Sequence, residues 1–364
     1  MSVKLDLDVN QFPSLTWNFL KINSTHIDSS IEKDAGFTAI VSNDAIKLVE
    51  VPFKSLSDEI KNVTTGMGKA FDAEFDSFAS KGKTVLIEVP ECKGCASCQK
   101  VKIELLHHDG EYKAKDFVIH VNEGAEALVL FTFKGAELNE GLLGARVRLI
   151  AEAGSSVKLA TVNLLGKKAM HFISAGSLVK DNALVDVTEL ELGASKIYSG
   201  NYQNLAGYKA SCTGHAAYVV EDGGEADFNY IASHSGRETV SFMAMDGVCG
   251  AGVKKTWRGT IDFKKGCVDA KGDEQEDVLL LSPDVVNKTL PVILCDEEAV
   301  EGRHGATIGR MDRDILFYMQ SRGVDEEEAR RLMVSAKIHS VCRYISDDEV
   351  NAEVDAFLEK EFGE

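Results

Sequence analysis

Residues 303–323 read Arg303-His304-Gly305-Ala306-Thr307-Ile308-Gly309-Arg310-Met311-Asp312-Arg313-Asp314-Ile315-Leu316-Phe317-Tyr318-Met319-Gln320-Ser321-Arg322-Gly323. The stretch joins two unlike halves of the chain. Before it, apolar residues mostly recur at every second position, the period of a half-buried strand. After it they recur at helical spacing. The join itself carries a histidine, glycines and the aromatic pair Phe317-Tyr318.

Upstream, between residues 84 and 295, the strand-like runs are short and closely spaced. Val147 and Leu149 alternate with Arg146 and Arg148, Val157 and Leu159 flank Lys158, and Val185 and Val187 flank Asp186. Leu190 and Leu192 flank Glu191 in the same way. We read Gly154, Gly166, Gly176, Gly193, Gly200, Gly207, Gly214 and Gly223-Gly224 as the turns between these runs. No helical pattern interrupts them, which leaves a sandwich, a barrel or a solenoid. Length favours a solenoid, which grows by adding rungs. No clean fixed-period repeat is visible.

Downstream, Ile315, Leu316, Tyr318 and Met319 predict one helix, closed by Arg322-Gly323 as a glycine C-cap. Asp325, with Glu328 three residues on, predicts the cap of a second helix faced by Ala329, Leu332, Met333, Ala336 and Ile338. Ser346 and Glu349 predict a capping box for a third, with Val350, Val354, Phe357 and Leu358 on one side. At the other end of the chain, residues 1–84 look mixed. Residues 10–23 predict a short helix leading into a strand. Leu56, Ile60 and Val63, then Phe71, Phe75 and Phe78, predict two helices broken near Gly66 and Gly68. Three regions follow: a mixed α/β region over 1–84, a β core over 85–302, and a helical subdomain over 303–364.

The 364 residues carry a formal net charge of −18. That charge disfavours nucleic acid, whose phosphates need Lys and Arg, and anionic membrane surfaces. Its plain meaning is solubility. No apolar run approaches the ~20 residues of a membrane span. The N-terminus lacks a basic start and an apolar h-region, so a cytoplasmic protein is expected. There is no Walker A sequence and no Gly-x-Ser-x-Gly elbow. His107-His108-Asp109-Gly110 reads as a turn, His215 and His234 as satisfied strand residues, and Asp246 before Gly247 as a turn former.

Five of the eight cysteines, Cys212, Cys249, Cys267, Cys295 and Cys342, are dispersed, and the other three form Cys92-Lys-Gly-Cys95-Ala-Ser-Cys98. Thiolates at two-residue gaps converge on one metal centre, and this spacing is that of the first three ligands of a bacterial ferredoxin run. The fourth is missing, because Lys102 stands there. An open ligand position suits transient holding of a cluster. A zinc loop completed by a distant ligand, or a loop without metal, fits the same residues.

The run His-Gly-Ala-Thr-x-Gly followed by Leu-Phe-Tyr-x-x-Ser-Arg-Gly resembles the signature of the SufB/SufD family, the scaffold subunits of the Suf system for iron–sulfur cluster assembly. Thr16-Trp17-Asn18-Phe19-Leu20-Lys21-Ile22-Asn23 is similar to an N-terminal run of that family. The likeness spans about residues 85–340. It implies a mainly β fold with a right-handed parallel β-helix core, and a scaffold rather than an enzyme. It implies a SufC-type ABC ATPase as partner, docking on the C-terminal helices near Leu316, Phe317, Tyr318 and Arg322. ATP-driven dimerisation of that ATPase would then move the scaffold subunits. It also implies a homodimer, or a heterodimer with a SufB-like subunit.

His304 matches the histidine that SufD-type subunits place at their interface, where the cluster site forms. Alone, a histidine beside a glycine is usually structural. Glu301 is a nearby carboxylate or a solvated acid. Where SufB-type subunits carry a cysteine, this chain has Glu276, and where they carry a glutamate after the signature histidine it has Gly305, so the C-terminal half is more SufD-like. The expected cofactor-binding set is thus Cys92, Cys95, Cys98, His304, Glu301 and Glu276, with iron–sulfur as the cargo and zinc as the alternative. Two other readings fit the composition: a β-solenoid interaction protein with structural zinc, and a β-helix acting on polysaccharide.

Overall fold

A computed structural model describes residues 2–14, 20–91 and 99–362 of the chain. Cys92, Cys95 and Cys98 lie outside the described residues, as do residues 15–19 of the N-terminal run. From Thr84 to Arg310, successive strands alternate between two sheets, and each strand pairs with the next but one. The first sheet runs from Thr84–Val89 through Glu111–Val121 and Gly141–Ala151 to Lys254–Phe263 and Val286–Cys295. The second runs from Gln99–His107 through Leu184–Glu191, Val240–Cys249 and Ala270–Leu280 to Val300–Arg310. Every pairing between these rungs is parallel. This is a two-sheet parallel β-solenoid, as expected.

The missing repeat has a geometric cause. Met170 pairs with Lys196, 26 residues on, whereas Lys254 pairs with Val286, 32 residues on. The strands stay in register while the corners change length, so no period survives in sequence. At the N-terminal end, Thr38–Val41 and Lys47–Val51 add antiparallel to the first strand of each sheet. They cap edges that would otherwise stand open.

Between the sheets, alternate residues such as Val147, Ile173, Ile197, Phe228 and Trp257 form the lumen core. The outer faces are covered too. The hairpin Val3–Val9 and Thr25–Ile31, with helices α1 (Asp58–Lys61) and α2 (Lys69–Lys81), covers the first sheet. Phe71 and Phe75 of α2 pack edge-on against Phe172. With both faces covered, every residue of Gly141–Ala151 is buried, including the outward Arg146 and Arg148. Arg146 donates to Asp116 at 2.8 Å and Asp76 at 2.6 Å, and lies 4.7 Å from the Phe75 ring centroid. Buried charges persist only when paired in this way.

Three of the expected turn glycines lie inside strands instead. Gly176 and Gly200 are where the segment around Gly66 crosses the first sheet. A Cβ on Gly200 would stand 2.3 Å from the Gly66 carbonyl carbon, and one on Gly176 would stand 2.0 Å from the Thr64 oxygen. Gly214 is also within a strand, Ser211–Val220. Asp246 likewise sits in Val240–Cys249 rather than in a turn, because Gly247 there makes room for the Tyr218 ring.

The last strand continues to Arg310, past the break expected at 302, because its register with Ala270–Leu280 holds over its whole length. Helices α3 (Arg313–Ser321), α4 (Glu326–Cys342) and α5 (Asp348–Phe362) follow. The α3 C-terminus has the expected glycine, Gly323 at φ +91°, with Val324 N–H donating to the Met319 carbonyl. Asp325 caps α4 through the Glu328 amide. For α5 the cap is Asp347, not Ser346, through the Val350 amide at 3.0 Å. The α4 face also shifts. Val334, Ile338, Val341 and Cys342 are buried on Leu130, Val162, Leu190 and Val219 of the second sheet, while Leu332 and Ala336 face solvent. Helical spacing in that stretch fits both stripes, and only the sheet chooses between them.

Candidate functional site at the open end of the solenoid

Val300–Arg310 ends the second sheet and pairs on one side only. Its 301–308 segment is exposed throughout. A strand in this position offers a row of free N–H and C=O groups to another chain. Side chains alternate across it. A Cβ on Gly302 would approach Phe263 and Ile293 of the lumen. Gly302, His304, Ala306 and Ile308 therefore share the inward side, and Glu301, Arg303, Gly305 and Thr307 the outward side.

His304 is exposed and stands in register beside Glu274 of Ala270–Leu280. Glu274 is fully buried, and neither carboxylate oxygen has a hydrogen-bond partner among the described residues. Burial, reinforced by Glu276 and Asp273, holds its carboxyl well above the usual range. Gly259, across the lumen, supplies its space: a Cβ there would lie 2.2 Å from Glu274 Oε1.

Glu276 is placed differently. It is buried in an ion pair with Lys255, which is itself fully buried, and it accepts from the Thr289 hydroxyl. Its charge is thus already answered by the protein. Glu301 points outward to Lys271 at 2.9 Å, which holds its carboxyl below the usual range. In register His304 stands beside Glu274; it lines one groove with Glu276, whereas Glu301 turns outward to Lys271. A groove of about 590 Å³ follows this edge, lined by Asp246, Asp273, Asp277, Arg303, His304 and Thr307 among others.

The dispersed thiols divide by burial. Desolvation pushes Cys212 up to about 12, Cys249 to about 11 and Cys342 to about 12, which leaves them protonated and inert. Cys295 is the exposed one, with its thiol donating to the Glu297 carbonyl at 3.0 Å. Among the described residues, no three His, Cys, Asp or Glu side chains are grouped to hold a metal ion.

On α3, Phe317 and Tyr318 are 72 % and 59 % exposed, and Ile315 is exposed beside them. Leu316 is half-buried, and the Arg322 guanidinium lies 5.2 Å from the Tyr318 ring centroid. These side chains leave an uncovered apolar patch on α3.

Glu274 is the residue missed from sequence. In the run Asp273-Glu274-Gln275-Glu276-Asp277 only Glu276 is singled out, and the one signal for Glu274 is the alternation itself once the inward side is known.

The class the fold defines is a two-sheet parallel β-solenoid with an open end strand that carries His304 and a docked helical subdomain. Residues 105–337 match the family described as "SUF system FeS cluster assembly, SufBD core domain". The chain belongs to that family. It is 27 % identical over 164 residues to the iron-sulfur cluster assembly protein SufD of Bacillus subtilis, a match covering 44 % of this chain and 37 % of that protein. It is 23 % identical over 218 residues to SufB of the same organism, covering 59 % and 45 %. It is 24 % identical over 225 residues to the chloroplastic SufBD family protein ABCI8 of Arabidopsis thaliana, covering 60 % and 40 %. The chain thus spans less than half the length of these relatives.

Proposed function

We propose that this protein is a cytoplasmic scaffold, not itself an enzyme, on which iron–sulfur clusters are assembled. The carrying observation is His304, exposed on an end strand that is paired on one side only and whose free edge can take a second scaffold subunit. In this reading the open ends of two subunits meet, as a homodimer or with a SufB-like partner, and the cluster forms between them as cargo. Imidazole suits iron as a ligand. The Cys92, Cys95 and Cys98 thiols are a second place for iron–sulfur or zinc.

Helix α3 receives a SufC-type ABC ATPase through Phe317, Tyr318, Leu316 and Arg322. A path from the helices to the edge supports the coupling. Lys337 of α4 reaches Asp246 at 3.2 Å and Asp277 at 2.9 Å, and Asp277 is the register partner of Thr307 on the end strand. A pull on the helices therefore bears on the strand that carries His304.

The test is anaerobic purification with and without a SufC-type ATPase. Mass in solution, iron, sulfide and zinc content, and visible absorbance after reconstitution are then read. Cluster absorbance lost on His304→Ala supports the reading. Zinc alone, bound equally by that variant, overturns it, and failure to co-purify removes the ATPase claim.

A further inference from the structure

The middle of the lumen holds two acids that no protein cation answers. Glu189 and Glu191 of Leu184–Glu191 point inward with Val185 and Val187, and both are buried. Asn163 donates to Glu191 Oε2 at 2.7 Å, but Glu191 Oε1 and Glu189 Oε1 have no hydrogen-bond partner among the described residues. No lysine or arginine is among the groups that act on either carboxyl. His171 does not serve either, because burial keeps its ring neutral. Its Nδ1–H donates to the Leu143 carbonyl at 2.8 Å, so Nε2 meets Glu191 Oε1, 3.6 Å away, with a lone pair. Three hydroxyls complete the cluster. Thr161 is the register partner of Glu189. Ser199 and Tyr230 come from the facing sheet and stand close enough to act on the Glu189 carboxyl. Thr161, Ser199 and Tyr230 are 3 %, 0 % and 5 % exposed, and none of their oxygens has a hydrogen-bond partner among the described residues. Buried oxygens left unanswered cost stability, and a group of them calls for an absent partner.

We propose that Glu189, Glu191, Thr161, Ser199 and Tyr230 bind a Ca²⁺ ion inside the solenoid. Two carboxylates and three hydroxyls are an all-oxygen donor set, which suits a hard cation. The charge of two carboxylates calls for a divalent one. Ca²⁺ takes roughly six to eight oxygens in flexible geometry, whereas Mg²⁺ demands a near-ideal octahedron and keeps several waters. A lumen packed with apolar side chains leaves little room for those waters. With hydroxyls among its donors the site needs no third His, Cys, Asp or Glu, and no group of three occurs among the described residues. The ion ties the second sheet, which carries Thr161 and both acids, to the first, which carries Ser199 and Tyr230. Burial keeps both carboxyls protonated until the ion arrives, so binding releases protons to solvent. The way in is a corner cleft of about 150 Å³ lined by Leu165, Gly193 and Phe357 of α5. Asn163 stands between cleft and site, donating to the Gly193 carbonyl on one side and to Glu191 on the other.

The experiment reads the metal content of the purified full chain, strips it with chelator, and titrates it with Ca²⁺ and separately with Mg²⁺ and K⁺. Calorimetry in two buffers reports affinity and proton release, and Tb³⁺ emission excited through tyrosine is the optical probe. One Ca²⁺ per chain, released protons and a raised melting temperature are expected. Glu189→Gln and Glu191→Gln should each weaken Ca²⁺ binding by at least about a hundredfold, the upper end of what even outer-shell partners of a metal cost. Each keeps the shape of a group that is neutral without the ion, so the melting temperature in chelator should match wild type. That separates a ligand from a residue that only maintains the fold. Tyr230→Phe should weaken Ca²⁺ by about tenfold and remove most of the Tb³⁺ emission. Glu225→Gln, at a remote exposed acid paired with Lys254, should bind as wild type. A wild-type chain that neither carries nor takes up Ca²⁺ overturns the inference. Unchanged Ca²⁺ affinity in Glu189→Gln and Glu191→Gln also overturns it, and equal affinity for Mg²⁺ or K⁺ overturns the assignment to Ca²⁺.

Discussion

His215 of the second sheet lies flat against Tyr344 at the end of α4, with ring centroids 3.5 Å apart and planes 6° from parallel. The Arg343 guanidinium lies 4.9 Å from the same Tyr344 ring. Burial lowers the His215 pKa, and of the nearby charges Asp186 opposes this while Arg343 adds to it. A neutral imidazole is therefore the stacking partner. The contact pins the helical subdomain to the solenoid at a point where the buried apolar seam is flanked by charge. Tyr344→Ala should cost about 1 kcal/mol beyond the lost burial. Hydrogen exchange is the measure: residues 326–345 should speed up while the central strands keep their protection. Unchanged exchange in α4 would show that the apolar seam alone holds the subdomain.

Asp347 joins the same subdomain to the first turn of the solenoid. It caps α5, and it takes Lys100 at 2.8 Å and Lys102 at 2.9 Å from the strand Gln99–His107. Burial opposes its charge, but the two lysines and the Val350 amide outweigh burial and bring the carboxyl down to about 2. A depressed carboxylate stabilises the fold above its unfolded value and loses that contribution as pH falls through the folded one. Asp347→Asn should therefore cost about 2 kcal/mol near neutrality. The difference from wild type should shrink as pH drops below about 4 and vanish near 2. Urea midpoints across that range decide it, and a gap that stays constant with pH refutes the assignment.

What the sequence could show was limited by distance along the chain. Val147 and Leu149 face the lumen as their alternation indicated. Arg146 and Arg148 look like a solvent face in any window of ten residues, yet they are buried by Asp72 and Asp76, which arrive from about seventy residues upstream. His304 was legible because it sits in a long ordered motif. Its neighbour Glu274 was not, because pairing across 30 residues, not local pattern, sets the two side by side. The choice of Glu276 as a ligand failed to anticipate Lys255 for the same reason. The three C-terminal helices were legible in number and caps, apart from one residue at Asp347, because capping is a local transaction between a side chain and a nearby amide.

Gly200 tests the crossing of the N-terminal region over the first sheet. Its backbone meets that of Gly66 so closely that a Cβ would lie 2.3 Å from Met67 N. Neither backbone can yield without moving the Gly66 amide off the Ala175 carbonyl, a bond of 3.0 Å. Gly200→Ala should destabilise by about 3 kcal/mol, in the upper range for overpacking. Gly223→Ala, at an open turn with φ +73° and nothing near its Cβ, is the control for backbone strain alone, expected at about 1 kcal/mol. Chemical denaturation of both variants gives the comparison, and equal losses would mean that the crossing tolerates the added methyl.

Two buried histidines set an acid limit on stability. His171 hydrogen-bonds the Leu143 carbonyl through Nδ1 at 2.8 Å, and burial pushes its imidazole down to about 4. His234 lies between the hydroxyls of Thr239 and Ser241 at 2.7 and 2.9 Å, and burial brings it also to about 4. Unfolded, both would take up protons near the ordinary value of about 6.5. Between there and 4 the unfolded chain binds more protons than the folded one, so stability falls as pH falls through that window. Each histidine can remove up to roughly 3 kcal/mol over its course. Glu189 and Glu191, held above the usual range by burial in the same lumen, act with the opposite sign. Their contribution is present at low pH and is lost as pH rises above the ordinary carboxyl value. His234→Gln keeps a side chain able to meet both hydroxyls but does not titrate. Its stability relative to wild type should therefore improve steadily from pH 7 to pH 4, read as the difference in urea midpoints, and a difference that does not change with pH would mean that His234 titrates alike in the folded and unfolded chains.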